Sequence, residues 1–425
     1  MEVNIISREI IKPSSPTPNH LRSHKISHLD QLNINSYFPM ILFYSGVSKN
    51  NSHHLKKSLS ETLTHYYPLA GRVKDHLSVD CDDYGVYFVE ADVAGDMSDQ
   101  VLKQPEPQLL EQLMPCKPPE QLTNLFNLAI QVSYFGCGGV AICVCFRHVI
   151  ADATAAANFI KSWATTSVAC VGNDDSSSSS SSTTVKDVIF DCTSLFPPQD
   201  WPFFLTNNAH EILNPSTEMV TKRFVFDKSK IAALRGKIGN GPTRFEAMFA
   251  LLWSVVTTVT RREGDEFLAA FPVSIRKKMN PPISEQCIGN ICTLIMADLP
   301  TEETTTYNIL VEKVRELISM VNEDYVKKAS PNGWILNCIK DTKTDIRRRL
   351  VHISSACRLP WYEADFGWGK PIWVAIPQRH NEGGSIFVAL LDTCDGGGVE
   401  AWIGLSKEEM TKFQQHSNII AYTSF

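Results

Sequence analysis

An α/β protein of two domains, each built on a mixed β-sheet with helices, is the fold class predicted for this chain. Three observations predict it. The chain has 425 residues, and at about 150 residues per domain that length argues for two or three domains. A low-complexity segment interrupts it: Gly172-Asn173-Asp174-Asp175 runs into seven serines, Ser176 to Ser182, and two threonines. Such a stretch has no apolar face with which to offset its ordering entropy. On either side, strand and helix patterns alternate only partly, and several strands are joined hairpin-wise. That favours mixed sheets over a doubly wound parallel sheet. Domains are therefore expected at 1–171 and 216–425. The crossover between them, 172–215, stays irregular through Pro197-Pro198, Pro202 and Asn207-Asn208.

The elements follow in chain order. Leu55, Leu59, Leu63 and Tyr66 recur at helical spacing, and Pro68 ends that helix. Gly85 to Ala91 reads as a strand. Leu128, Ile130, Val132 and Tyr134 alternate with smaller or polar residues, the pattern of a half-buried strand. Cys137-Gly138-Gly139 makes a turn into Val140 to Phe146, a nearly unbroken apolar run suited to a central strand. Ala156, Phe159, Ile160 and Trp163 mark the next helix. In the second half Arg223 to Phe226 is a strand, and Asp227 caps a helix carrying Ile231 and Leu234. Thr243 and Glu246 form a capping box for an apolar helix through Trp253. Phe267 to Val273 is a strand, and helices are expected within 303–325 and 332–350. Strands at 385–391 and 398–404 are joined by a glycine-rich turn, and Ser406 with Glu409 starts the last helix.

Composition excludes several classes. Hydrophobic residues are 43% and charged residues 20%, as in an ordinary globular chain. Lys plus Arg is 40 against 46 for Asp plus Glu, a net charge of −6. A general binder of nucleic acid or anionic membrane would carry a basic surplus, so neither partner is expected. The N-terminus, with Glu2, Arg8 and Glu9, lacks an apolar export signal, and Val140 to Phe146 is far shorter than a membrane span. The 12 cysteines include no Cys-x-x-Cys pair. Unpaired, mostly apolar-flanked cysteines suit a reducing cytosol, so a cytoplasmic location is expected.

Two motifs can carry chemistry. His148 sits where the apolar strand ends, in Phe146-Arg147-His148-Val149-Ile150-Ala151-Asp152. Strand ends are common places for catalytic side chains, and an imidazole with an ordinary pKa of about 6.5 suits a general base. Asp152, four positions on, either orients the ring or anchors the loop. Spacing alone does not separate this histidine from an ordinary one among the 12 in the chain. No third His, Cys or carboxylate stands at metal-ligand spacing, so no metal is expected. The second motif is Asp365-Phe366-Gly367-Trp368-Gly369. Its glycines mark unusual dihedrals or a close approach, and a structural turn around Trp368 accounts for it on residue chemistry alone. No Gly-x-Ser-x-Gly elbow, Walker loop or dinucleotide-binding glycine pattern is present, which removes support for hydrolase, nucleotidyl and Rossmann readings.

Together these motifs resemble the plant BAHD acyltransferases, over essentially the whole chain. Lys12 to Pro18, Leu29-Asp30, Tyr67 to Arg72, Val79-Asp80-Cys81, Cys137-Gly138-Gly139, Asn280-Pro281-Pro282 and Gly289-Asn290 match that family in order and spacing. The detail is most similar to the branch with vinorine synthase, salutaridinol acetyltransferase and the acylsugar acyltransferases. The resemblance implies two chloramphenicol-acetyltransferase-like domains with an active-site channel between them. It implies acyl-CoA, acetyl-CoA by branch, as co-substrate, no permanently bound cofactor, and a small hydroxylated acceptor: an alkaloid or terpenoid alcohol, or a sugar ester. His148 is then the general base in a ternary complex. Asp152 becomes structural, pairing with the arginine that matches Arg276. Asp365, Gly367, Trp368 and Gly369 shape the fold and the CoA side, and CoA contacts fall near Thr243 and Arg244. Tyr37 and Met40 either line the acceptor side or serve the core. Amide formation by an N-acyltransferase, or a catalytically silent binding relative, are the alternatives, and a monomer is expected.

Overall fold

The computed structural model describes residues 1–33, 36–46, 52–103, 105–116, 125–173, 188–199, 219–302, 305–329, 348–377 and 386–424. In chain order the strands are β1 (Val3–Ile11), β2 (Ser23–Lys25), β3 (Tyr37–Tyr44), β4 (Arg72–Val73), β5 (Ser78–Asp80), β6 (Val86–Val93), β7 (Leu128–Phe135), β8 (Val140–Arg147), β9 (Met219–Phe226), β10 (Glu266–Ser274), β11 (Cys292–Asp298), β12 (Arg348–Ser355), β13 (Trp373–Ala375), β14 (Ile386–Asp392) and β15 (Val399–Ser406). Among the described residues they form two six-stranded sheets, β1-β6-β7-β8-β3-β13 and β11-β10-β12-β14-β15-β9, and a small sheet β2-β5-β4. Both large sheets are mixed. In the first, β6 and β7 are parallel while β7, β8 and β3 run antiparallel. In the second, β12 lies parallel to both β10 and β14, and the outer pairs are antiparallel.

The chain divides into two compact units. One is Met1–Thr206 with Ser284–Ile291 and Leu359–Gln378; the other is Asn207–Ile283 with Cys292–Arg358 and Arg379–Phe425. Two segments within 216–425 belong to the first unit. One carries Asp365 to Gly369. The reason lies in β3, an apolar strand with β8 on one side only. Its other edge would leave buried N–H and C=O groups without partners. β13 supplies them, with Trp373 opposite Phe43 and Ala375 opposite Ile41. Of the expected crossover, 174–187 and 200–215 lie outside the described residues, and 188–199 carries a short helix, Cys192–Leu195.

In the first unit β8 is buried along its whole length, as its apolar run predicts, and β7, expected to be half-buried from its alternation, is buried on both faces as well, Gln131 and Ser133 included. The helices Ser52–His65 and Ala153–Asn173 pack together, with the Trp163 indole N–H donating to the Leu55 carbonyl and the Ser58 hydroxyl at 3.1 Å each. Phe159 meets Phe146 edge-on at 5.7 Å, which joins that helix to β8. In the second unit both capping boxes read from sequence are present, Thr243 with Glu246 and Ser406 with Glu409. The helix expected within 303–325 is Tyr307–Met320. The one expected within 332–350 falls mostly outside the described residues, and 348–350 begin β12 instead.

Candidate active site

The His148 loop is built from the end of β8. Arg147 closes the ladder opposite Tyr37, and the His148 N–H continues it onto the Ser36 carbonyl at 2.7 Å. The backbone then turns, with Ile150 N–H bonded to the Arg147 carbonyl at 3.0 Å, and enters the helix Ala153–Asn173. Asp152 caps that helix: its Oδ1 accepts from Ala155 N–H at 2.9 Å. A strand end and a helix start, both hydrogen-bonded, thus hold a histidine between them. His148 is half-buried, and its ring lies 4.7 Å from that of Phe38, which stacks on Phe146 at 5.4 Å.

The segment Ser284–Ile291 runs along this turn. Ile291 N–H donates to Asp152 Oδ2 at 3.1 Å, and Asp152 N–H donates to the Gly289 carbonyl at 3.3 Å. Gly289 has φ +127°, and a Cβ there would stand 3.4 Å from both Asp30 Oδ1 and Cys192 Sγ. Those are ordinary contacts, so the position favours glycine through its backbone conformation. The Asp152 carboxylate is engaged by backbone N–H groups on both oxygens, the use a structural aspartate makes of its charge.

Asp365 organises the second motif in the same way. Its Oδ1 accepts from Gly367 N–H at 2.8 Å and from Gly369 N–H at 2.9 Å, and both glycines are left-handed, φ +97° and +101°. Phe366 is buried edge-on against Trp163 at 4.8 Å, and Trp368 lies 5.9 Å from Tyr44. The Tyr44 hydroxyl donates to the Ala364 carbonyl at 2.8 Å. Burial and the neighbouring Asp365 carboxylate push that hydroxyl well above its ordinary range, so it stays a donor. Lys161 pairs with Glu363, tying the helix behind His148 to this turn.

The other expected site residues fall elsewhere. Tyr37 and Met40 are buried in β3, and the Tyr37 hydroxyl donates to the Phe126 carbonyl at 2.7 Å. Phe38, between them, is the β3 side chain whose ring lies against His148. Thr243 serves as an N-cap, and Arg244 donates to Asp392 at 2.6 Å and to the Gly396 carbonyl at 2.8 Å, bracing the glycine-rich hairpin turn. Arg276 is buried in the short helix Arg276–Lys278, where its carbonyl accepts from Ile283 N–H at 2.9 Å. Arg147 is fully buried on β8, and burial pulls its guanidinium below its ordinary range. Among the described residues no group of three or more His, Cys, Asp or Glu side chains is placed to hold a metal, and no helix is long and apolar enough to cross a membrane. Sequence reading missed Phe38, which an alternating strand pattern does not distinguish from its neighbours. It noted Asp30 and Asn290 without giving either a role.

Two compact units, each with a mixed six-stranded sheet and helices, have the chloramphenicol-acetyltransferase-like fold of an acyltransferase family. The crystal structure of vinorine synthase, an enzyme of Rauvolfia serpentina, is similar with a TM-score of 0.83 at 34% identity, covering 100% of this chain and 99% of that one. The model of the Transferase family matches residues 1–419. Epi-neemfruitin B synthase L1AT of Melia azedarach is 46% identical and the limonoid 1-O-acetyltransferase of Citrus sinensis 45%, each match covering 100% of this chain and 99% of the relative. The chain belongs to the BAHD family and is an acyltransferase.

Proposed function

We propose that this protein transfers the acetyl group of acetyl-CoA to a hydroxyl of a limonoid-type plant metabolite, with His148 as general base in a ternary complex. The observation that carries the reading is the full-length likeness to limonoid O-acetyltransferases, which is greater than the likeness to vinorine synthase and salutaridinol 7-O-acetyltransferase. That order favours a terpenoid alcohol over an alkaloid or a sugar ester. Cys81, Cys137, Cys143, Cys145, Cys357 and Cys394 carry thiols outside any disulfide, Cys143 and Cys145 with their sulfurs 3.9 Å apart, which supports a reducing, cytoplasmic setting.

The chemistry follows from the position of His148. An alcohol has a pKa far above that of an imidazole, so its proton must leave as its oxygen bonds to the thioester carbonyl carbon. His148 takes that proton. The tetrahedral intermediate collapses, the C–S bond breaks, and the CoA thiolate recovers the proton from the imidazolium. An ester and free CoA result, and no acyl-enzyme forms. Holding both substrates at one imidazole replaces a chance encounter with a positioned one.

The test is purified protein with acetyl-CoA and a panel of limonoid, alkaloid and amine acceptors, read by mass spectrometry and by release of free thiol. Acetylation of a limonoid alcohol is expected, and His148→Ala lowers turnover by about 10²–10⁴-fold. Acetylation of an alkaloid or amine with no limonoid turned over would overturn the acceptor, and near-wild-type turnover in His148→Ala the mechanism.

A further inference from the structure

Leu29-Asp30 and Gly289-Asn290 take no part in the transfer as derived above, yet they meet behind His148. Asp30 and Asn290 are 4% and 2% exposed. The Asp30 carboxylate is surrounded by neutral donors: Ser27 N–H and hydroxyl on Oδ2 at 3.1 and 2.5 Å, and Asn290 N–H and Nδ2 on Oδ1 at 2.6 and 2.9 Å. The Asn290 Nδ2 also donates to the His148 carbonyl, at 2.6 Å. Both amide hydrogens are thereby used. Turning the amide over would set its oxygen against a carboxylate and a carbonyl, so one orientation is strongly preferred.

We propose that Asp30 and Asn290 are positioning residues for the transfer: Asp30 fixes the Asn290 amide, and the amide fixes the backbone of His148. The proposal rests on His148 being the base. It follows from the backbone bonds on both sides of that residue. The His148 N–H is held by Ser36 and its carbonyl by Asn290, so the peptide groups flanking Cα are both anchored, and the ring rests on Phe38. Reacting groups must be held to within about half an ångström, by neighbours that are themselves locked. An imidazole displaced by about 1 Å loses on the order of 100-fold in rate. Asp30 and Asn290 touch neither hydroxyl nor thioester; they act through His148.

The test uses the full chain with acetyl-CoA and a limonoid alcohol. In Asn290→Ala, kcat is expected to fall on the order of 100-fold while KM for acetyl-CoA stays within about twofold. Added to His148→Ala, the same substitution is expected to leave the residual turnover unchanged, because nothing remains to be positioned. Nuclear magnetic resonance supplies a readout independent of turnover. The His148 ring signal, identified by its loss in His148→Ala, is expected to shift or broaden in Asn290→Ala. Asp30→Asn, close in volume, is the second variant should Asn290→Ala fold poorly, with the same expected lowering of kcat and change in the ring signal. An unchanged kcat and ring signal in a folded variant overturns the proposal while leaving His148 as base. An equal fractional loss in the His148→Ala background also overturns it, since the effect would then be general damage. Near-wild-type turnover in His148→Ala itself strikes at the base assignment instead.

Discussion

Asp152 organises the loop that presents His148, through backbone bonds to each of its two oxygens. One oxygen caps the helix Ala153–Asn173, and the other takes the N–H of Ile291. Replacing Asp152 by alanine removes both acceptors. A lost cap costs about 1 kcal/mol and an unsatisfied buried N–H about 1–3 kcal/mol, so Asp152→Ala is expected to lose about 2–4 kcal/mol in chemical denaturation. Turnover should fall with it, because the turn bearing His148 loosens. Asp152→Asn keeps one carbonyl oxygen and should lose less of both. An Asp152→Asn protein as stable as wild type yet inactive would place the carboxylate in the proton transfer itself.

Among the elements, the turn Asp365 to Gly369 depends on backbone conformation more than on contact. A Cβ on Gly367 would meet only Val168 Cγ2, at an ordinary 3.6 Å, so there is room for it. The φ of +97° is the obstacle, since an L-residue in left-handed conformation costs about 1–2 kcal/mol. Gly367→Ala is therefore expected to lower unfolding free energy by that amount. Equal midpoints in a denaturant titration would mean that the turn relaxes around the methyl. The helix starts behave more simply. At Thr243 and Ser406 the cap and its partner glutamate stand three residues apart, and each box forms at the start of its own helix.

At the scale of the whole molecule, both units contain histidines that folding keeps neutral. Burial holds His24, His28 and His416 below the ordinary value of 6.5, against the pull of the Pro197 carbonyl on His28 and of Asp30 on both His28 and His24. The His28 Nδ1 bonds the Pro197 carbonyl at 2.9 Å, and the His416 Nδ1 accepts from Asn418 N–H at 3.3 Å, a bond only an unprotonated nitrogen can make. A depressed pKa means that the unfolded chain binds more protons once the pH drops below about 6.5, so stability is full above that value and declines as pH falls below it. The melting temperature is expected to be lower at pH 5.5 than at 7.5. His416→Asn, which keeps an acceptor at the cap without a titrating group, should lose part of that dependence. A melting temperature flat across this range would contradict the account.

Sequence alone settled what lies within about ten residues: the buried run of β8, the caps at Thr243 and Ser406, and a histidine left at the end of a central strand, while the second buried face of β7 came from tertiary packing. Propensity, apolar period and capping chemistry act at that range. Order and spacing of motifs along the chain added the family. Only the tertiary structure decided which distant pieces meet. β1 carries Arg8 and Glu9 on a half-exposed edge and becomes a strand because β6 pairs with it. β12, whose first residues were expected to be helical, lies between two parallel partners, β10 and β14. Ser284–Ile291 and Leu359–Gln378 return to the first unit, and Asp30 finds Asn290 across 260 positions. Those pairings depend on which strand edges and which buried polar groups still lack partners once the local elements exist, and no stretch of sequence contains that information.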